Sequence, residues 1–230
     1  FVPYITSKFD TFISNEIMRP IIAQENSSFN FREILDKKKI LLVNLSKGRL
    51  GDINANLLGL ILVGKIQMAA LSRADSHGTE FPPFYLYIDE FQNFTTPSIS
   101  SILSEARKYK LGLNVAHQYL SQLSDDIRNA VLGNVGSMSI FRISSEDAEV
   151  LQKRLDPVFT IQDIMKLDNR NAYVSMLVDG VPVKPFNIRT QDLPAGNPDI
   201  VESLKELSFL KYGRPRDEVE KEVMDKFMKI

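Results

Sequence analysis

An acidic pair at the end of an apolar run can serve phosphoryl transfer. Here the run is Phe84–Ile88 and the pair is Asp89-Glu90. A first carboxylate in that position holds Mg²⁺, usually through water, and the second orients the water that attacks a γ-phosphate. A second apolar run, Leu111–Ala116, ends in His117-Gln118. The Gln118 carboxamide is placed to sense the same phosphate. Arg107 stands eleven residues before Gln118. It reads either as an ordinary surface arginine or as a cation reaching over an edge towards a partner subunit. Arg142, near the end of a later run, has the same two readings: a surface or structural group, or a second cation facing an intersubunit nucleotide. A polar strand exit also produces an acidic pair without any chemistry, so residue type alone leaves a solvated loop open for Asp89-Glu90.

These residues need elements that bring them together. Phe84–Ile88 is short, rich in β formers and apolar on both faces, as a central parallel strand is. Thr96 is a candidate cap for the following helix, and Pro97 suits its first position. Ile99, Ile102, Leu103 and Ala106 recur at helical spacing and form its buried stripe, with Arg107 on the flank. The second run then completes a strand–helix–strand unit. In an open parallel sheet, strand ends lie side by side at the carboxyl edge, where ligands bind.

The remainder of the chain supplies layers around that unit. Phe9, Phe12, Ile13, Ile17 and Ile21 suggest a helical start, interrupted at Pro20. Ile40–Leu45 reads as a buried strand, preceded by the lysine run 37–39 and followed by Ser46-Lys47-Gly48-Arg49. The lysine run reads as a solvated turn or a DNA contact; Lys47 and Arg49 read as a strand-exit loop or a phosphate or DNA contact. Ile53–Ser72 is a long apolar helix, dense enough to be covered on more than one side. Ser124 caps a helix running to Leu132. Gly136–Ile143 is a strand, and Ser144 with Asp147 opens another helix. Thr160 to Asp163 starts a short one. Asp179-Gly180 between two apolar runs is a strong two-residue hairpin signal, so the sheet is expected to turn from parallel to antiparallel near its end. Two amphipathic helices, 199–212 and 215–228, close the chain.

Composition sets bounds. The 230 residues are 43% hydrophobic and 25% charged, with net charge −1, as in an ordinary globular protein with an ordinary core. No global basic field points to nucleic acid. The absence of cysteine excludes disulfides and thiolate metal sites and fits a cytoplasmic location. Two histidines, His77 and His117, are too few for a histidine metal cluster. No signal peptide is expected from these residues, and no membrane segment from the length of the apolar runs.

The stretches YLYIDEFQNF, SILSEARKYKLGLNVAHQYLSQL and ILLVNLSKGRLG resemble the C-terminal half of the motor domain of TraD/TraG-type DNA-transfer ATPases. These are the type IV secretion coupling proteins of the HerA/FtsK superfamily. The resemblance runs from about Phe29 to about Phe227, and YGRPRDEVEKEV in the tail shares it. It implies an α/β, RecA-like P-loop NTPase core of which this chain is the C-terminal portion: a three-layer sheet with helices on both faces and a terminal antiparallel hairpin. It implies three segments: a helical start over 1–36, the ATPase portion over 37–190 and a helical tail over 191–230. It matches Asp89 and Glu90 to the Walker B pair, Gln118 to the sensor glutamine and Arg107 to an arginine finger acting on a neighbouring subunit's nucleotide. ATP and Mg²⁺ are the implied cofactors. The implied partners are further copies in a ring, a hexamer in this family, with DNA and a relaxase or secretion-channel protein.

One departure matters. The family's P-loop, G-x-x-x-x-G-K-[ST], cradles phosphates with backbone amides and a lysine. Gly59 to Ile66 imitates the spacing but has Ile66 where a hydroxyl is needed, and it lies inside a helical pattern. The chain also opens on Phe1 rather than Met. The expectation is a piece of a longer ATPase whose P-loop and any membrane attachment lie upstream, and which is inactive alone. The alternatives are a related HerA-like DNA-processing or secretion ATPase, and a non-catalytic α/β assembly or binding module.

Overall fold

The computed structural model describes residue 12, residues 14–76 and residues 80–228. Residues 1–11 of the expected helical start, together with Ile13 and His77, lie outside them. In chain order the elements are α1 (Met18–Ile22), α2 (Phe31–Asp36), α3 (Lys47–Leu50), α4 (Asp52–Leu71), β1 (Phe84–Ile88), α5 (Pro97–Glu105), β2 (Leu111–Val115), α6 (Asp125–Asn134), β3 (Met138–Ile140), α7 (Ser145–Leu151), α8 (Ile161–Met165), β4 (Asn171–Ser175), β5 (Leu177–Val178), β6 (Val181–Pro182), β7 (Phe186–Arg189), α9 (Pro198–Tyr212) and α10 (Arg216–Phe227). The protein is mixed α/β, as expected. Its described residues fall into two compact units: those up to Ser72 with those from Ala195 onward, and Arg73–Pro194.

The first unit is helical. Asn30 caps α2 by accepting the Glu33 N–H at 3.2 Å, which satisfies one of the amides a helix start leaves free. The Glu33 carboxylate then pairs with Lys39 at 2.8 Å and Lys37 at 3.0 Å. Hydrogen bonds from Lys39 and Lys37 hold that carboxyl down at about 2. Two lysines of the run at 37–39 are therefore engaged locally. Helix α4 buries a stripe of Asn54, Ala55, Gly59, Val63, Ile66 and Ala70 and packs against α2 and α3. Ile53, Ile61 and Met68 of this helix are exposed among the described residues. By length and composition the helix through Asp75 is also long and apolar enough to cross a membrane, longer than the apolar runs had suggested. The P-loop imitation from Gly59 to Ile66 lies within α4, so its amides are spent on helix bonds rather than turned towards a phosphate.

Ile40–Leu45 does not form the expected strand. Among the described residues the segment has no ladder partner in any sheet, and Ile40 and Leu42 are 87% and 83% exposed. An apolar run supplies the side chains of a buried strand, but strand structure requires a neighbour to take its amides and carbonyls. At the other end of the unit, α10 buries Val219 and Val223 and packs against α1. Arg19 meets Glu220 at 3.8 Å and Lys226 meets Glu25 at 2.9 Å. The tail charges thus reach the start of the described chain rather than only solvent.

The second unit contains the sheets. β1 and β2 pair in parallel, and β3–β4–β7 form a separate antiparallel sheet. The expected switch from parallel to antiparallel is therefore made between two sheets. The hairpin appears where Asp179-Gly180 placed it: φ is 50° and 80° at the two residues, the positive pair that a type I′ turn requires, and Val178 faces Val181. The core around β3 gathers Leu120, Ile140, Ala148, Leu151, Leu155 and Ile164. Ser144 accepts the Asp147 N–H at 3.4 Å, capping α7. Thr160 and Asp163 close a reciprocal capping box on α8, where a short helix was expected to start. Thr96 occupies the N-cap position of α5 but makes no side-chain capping bond.

Candidate functional site

The site is built from the register of two strands. Phe84 faces Leu111 and Ile88 faces Val115, so β1 and β2 end together. The ladder continues one step past both: the Ala116 N–H donates to the Ile88 carbonyl at 3.0 Å, and the Phe91 N–H donates to the Ala116 carbonyl at 2.9 Å. The segment after β1 is thereby stapled to the segment after β2. The Phe91 ring, fully buried at 0% exposure, anchors the 3-10 turn Phe91–Phe94. Behind them, Ile99, Ile102 and Ala106 of the helical connection are buried, as the spacing indicated.

Within that frame the acidic pair is held in a specific conformation. Glu90 is left-handed, at φ 50° and ψ 45°, a region that costs a non-glycine residue energy and so has to be held by its surroundings. Asp89 Oδ1 accepts the Glu90 N–H at 3.0 Å. The Glu90 side chain turns towards the β2 exit, where Gln118 Nε2 donates to Oε1 at 3.0 Å. Gln92 Nε2 donates to Oε2 at 2.6 Å. A carboxylate only accepts, so both amides must present nitrogen to it. The structure therefore joins Glu90 to Gln118 across 28 residues of sequence.

Two residues the sequence did not single out complete the surroundings. Gln92 is one; nothing in its spacing distinguishes it from the rest of an aromatic-rich turn. The other is His117, half-buried beside Gln118. Burial pushes its imidazole below the usual value, with the Asp147 and Glu90 carboxylates opposing. A neutral ring at neutral pH follows, with its Nε2 buried and unpartnered among the described residues. Asp147 is itself buried, and its Oδ2 accepts the Leu120 N–H at 3.1 Å.

Asp89 faces a cavity of about 220 Å³ lined also by Tyr87, Ile88, Asn114, Val115 and Ala116. Tyr87 and Tyr85 stand exposed on this face of the sheet, so β1 is covered on one face rather than the two its apolar sequence implied. A single exposed carboxylate beside an open cavity suits outer-sphere contact with a hydrated cation. Among the described residues no group of three or more His, Asp or Glu gathers as an inner-sphere metal site.

The remaining candidates lie elsewhere. Arg107 is exposed on the 3-10 turn Ala106–Tyr109, just before β2 begins. Five strand residues at about 3.3 Å each separate it from the carboxyl end, so it stands at the opposite edge from Glu90 and Gln118. Arg142 follows β3 of the antiparallel sheet and donates to Asn169 Oδ1 at 3.1 Å. Lys47 pairs with Asp52 at 3.4 Å, and Arg49 is exposed on α3.

Residues 83–156 match the family described as the TraM recognition site of TraD and TraG. No curated protein sequence matches the chain. Among solved structures, the chain is similar to the bacterial conjugative coupling protein TrwBΔN70 in its unbound monoclinic form. The two share 16% identity at a TM-score of 0.47, over 67% of this chain and 38% of that one. The chain therefore spans well under half the length of that protein. The matched segment 83–156 contains β1, β2 and the Glu90–Gln118 pair.

Proposed function

We propose that the chain contributes the hydrolytic edge of an ATP-driven DNA-translocating motor of the conjugative, type IV secretion kind. The observation that carries this reading is the Glu90–Gln118 hydrogen bond at the aligned carboxyl ends of two parallel strands, within a segment of TraD/TraG type. In this reading residues 37–190 are the C-terminal portion of a RecA-like, three-layer domain, flanked by helical segments 1–36 and 191–230. The phosphate loop comes from sequence outside these 230 residues. Bound Mg·ATP supplies the γ-phosphoryl group and the charge neutralisation its transfer requires.

The chain's own residues then divide the work. Asp89 holds the hydrated cation through water. Glu90 accepts a hydrogen bond from the attacking water and aims it. Gln118 exchanges its bond to Glu90 for one to the γ-phosphate, which reports nucleotide to the β2 exit. Arg107 stands too far from its own Glu90 to act there, which supports a role on the site of a neighbouring subunit in a hexameric ring. Arg142 is a second cation for that intersubunit site. The family description adds a partner: a TraM-like relaxosome protein docking on the segment 83–156, at the cytoplasmic face of a secretion channel.

A second reading, a non-catalytic assembly module, draws on the absence of any G-x-x-x-x-G-K-[ST] in the 230 residues. ATP turnover by the full-length protein separates the two. The motor reading expects hydrolysis that is stimulated by DNA and rises more steeply than linearly with protein concentration. A full-length protein that binds its partners and turns over no ATP supports the assembly module and ends the motor reading.

A further inference from the structure

The Glu90 carboxylate has both oxygens in side-chain amide bonds, from Gln92 at 2.6 Å and Gln118 at 3.0 Å. The two donors differ in how firmly they are placed. Gln118 is exposed at a strand exit. Gln92 sits inside the 3-10 turn, between buried Phe91 and Asn93. The Asn93 N–H donates to the Glu90 carbonyl at 2.9 Å, and Thr95 Oγ1 donates to the Gln92 carbonyl at 3.3 Å. Gln92 Oε1 is buried and unpartnered among the described residues. Leaving a buried amide oxygen unbonded costs energy. Flipping the amide would not recover it, because it would set oxygen against the Glu90 carboxylate. The carboxylate thus dictates the Gln92 orientation, and Gln92 in turn fixes one oxygen of the carboxylate.

We propose that Gln92 is a positioning residue for ATP hydrolysis: it pins Glu90 Oε2 while Gln118 releases Oε1. This rests on the reading of Glu90 as the water-orienting carboxylate. The two amides hold Glu90 like a fork. When Gln118 turns its donors to a phosphate oxygen, Oε1 gives up that bond and accepts from water instead. Without Gln92 the carboxylate would lose the 2.6 Å hydrogen bond to Oε2 that fixes its aim, on a residue whose backbone is already left-handed. With Gln92 it keeps its aim. The turn therefore supplies the fixed half of the clamp and the β2 exit supplies the movable half.

The test uses the full-length protein, with wild type and Glu90→Gln assayed alongside. Gln92→Ala removes the fixed donor and leaves the turn's backbone bonds intact. The expected result is a fall in kcat of about 10- to 100-fold, as for a misaimed reacting group, with KM for ATP unchanged. Gln92→Glu sets a second carboxylate beside the first. Two carboxylates at that spacing do not both ionise readily, so the acidic limb of the pH–rate profile is expected to rise by about one pH unit or more. Thermal melts confirm folding, and Gln92→Ala decides alone if Gln92→Glu does not fold. Turnover in wild type that Glu90→Gln abolishes, with kcat and the acidic limb unmoved by the Gln92 substitutions, overturns the positioning role and spares the motor reading. A wild type that turns over no ATP overturns both.

Discussion

Arg107→Ala is expected to lower the kcat of the full-length protein by roughly 10³-fold or more, the range over which an arginine supplied in trans acts in phosphoryl transfer. Arg107 precedes β2, whereas Glu90 and Gln118 meet where β1 and β2 end. The strand between them fixes that separation, and no rotamer of an arginine spans it together with the turn. Its side chain is exposed, so removing it takes nothing from the core, and the melting temperature is expected to stay within a few degrees of wild type. The effect must then come from a neighbouring site. Mixing Arg107→Ala with Glu90→Gln provides the check. Each ring interface that pairs an intact Glu90 with an intact Arg107 is complete, so the mixture is expected to hydrolyse ATP although neither variant does alone. A variant that loses nothing, or a mixture that recovers nothing, removes the trans role.

Phe91→Ala is expected to destabilise the unit Arg73–Pro194 by about 3–5 kcal/mol, the usual cost of deleting a buried aromatic ring. The ring is fully buried, and its residue carries the N–H that bonds the Ala116 carbonyl at 2.9 Å. That bond ties the exit of β1 to the exit of β2. With the ring gone, a domain of ordinary stability, about 5–15 kcal/mol, loses a large share of its margin. The turn that carries Gln92 also loses its anchor. Urea denaturation measures the first effect. The second appears as a loss of hydrolysis in variants still folded at low temperature. Phe91→Leu, which keeps most of the volume, is expected to cost less than half as much.

Much of the site was legible in the sequence for a physical reason. Local signals dominate the unit from Phe84 to Gln118: a short β-branched and aromatic run, a proline at the first position of α5, a stripe at helical spacing and a second short run. Two parallel strands joined by one helix leave little choice of arrangement, so Asp89-Glu90 and Gln118 had to emerge at one edge. The cap at Ser144, the helix start at Thr160 and the Asp179-Gly180 hairpin are local as well, and they formed where their residues indicated.

What the sequence concealed depends on partners and on backbone conformation. The apolar run at Ile40–Leu45 has the composition of a strand, but a ladder needs a second chain segment, and composition cannot say whether one is there. The left-handed Glu90 was equally hidden. A glutamate carries none of glycine's signal for positive φ, yet this one dihedral turns its carboxylate towards Gln92 and Gln118. The importance of Gln92 follows from that turn and from nothing in its own spacing. Arg107 stands at the edge opposite Glu90 because it precedes β2, a separation that its eleven-residue spacing from Gln118 does not by itself reveal.

The most direct measurement is on the full-length protein carrying Glu90→Gln. The substitution keeps the shape of the side chain and removes the negative charge that aims the water. Nucleotide binding and the release of product are followed together, with and without DNA. The account predicts that the variant binds ATP as wild type does, retains it, and hydrolyses it at least 10²-fold more slowly. Hydrolysis at the wild-type rate by Glu90→Gln would contradict it, because the carboxylate at the meeting of the two strands would then have no part in the chemistry.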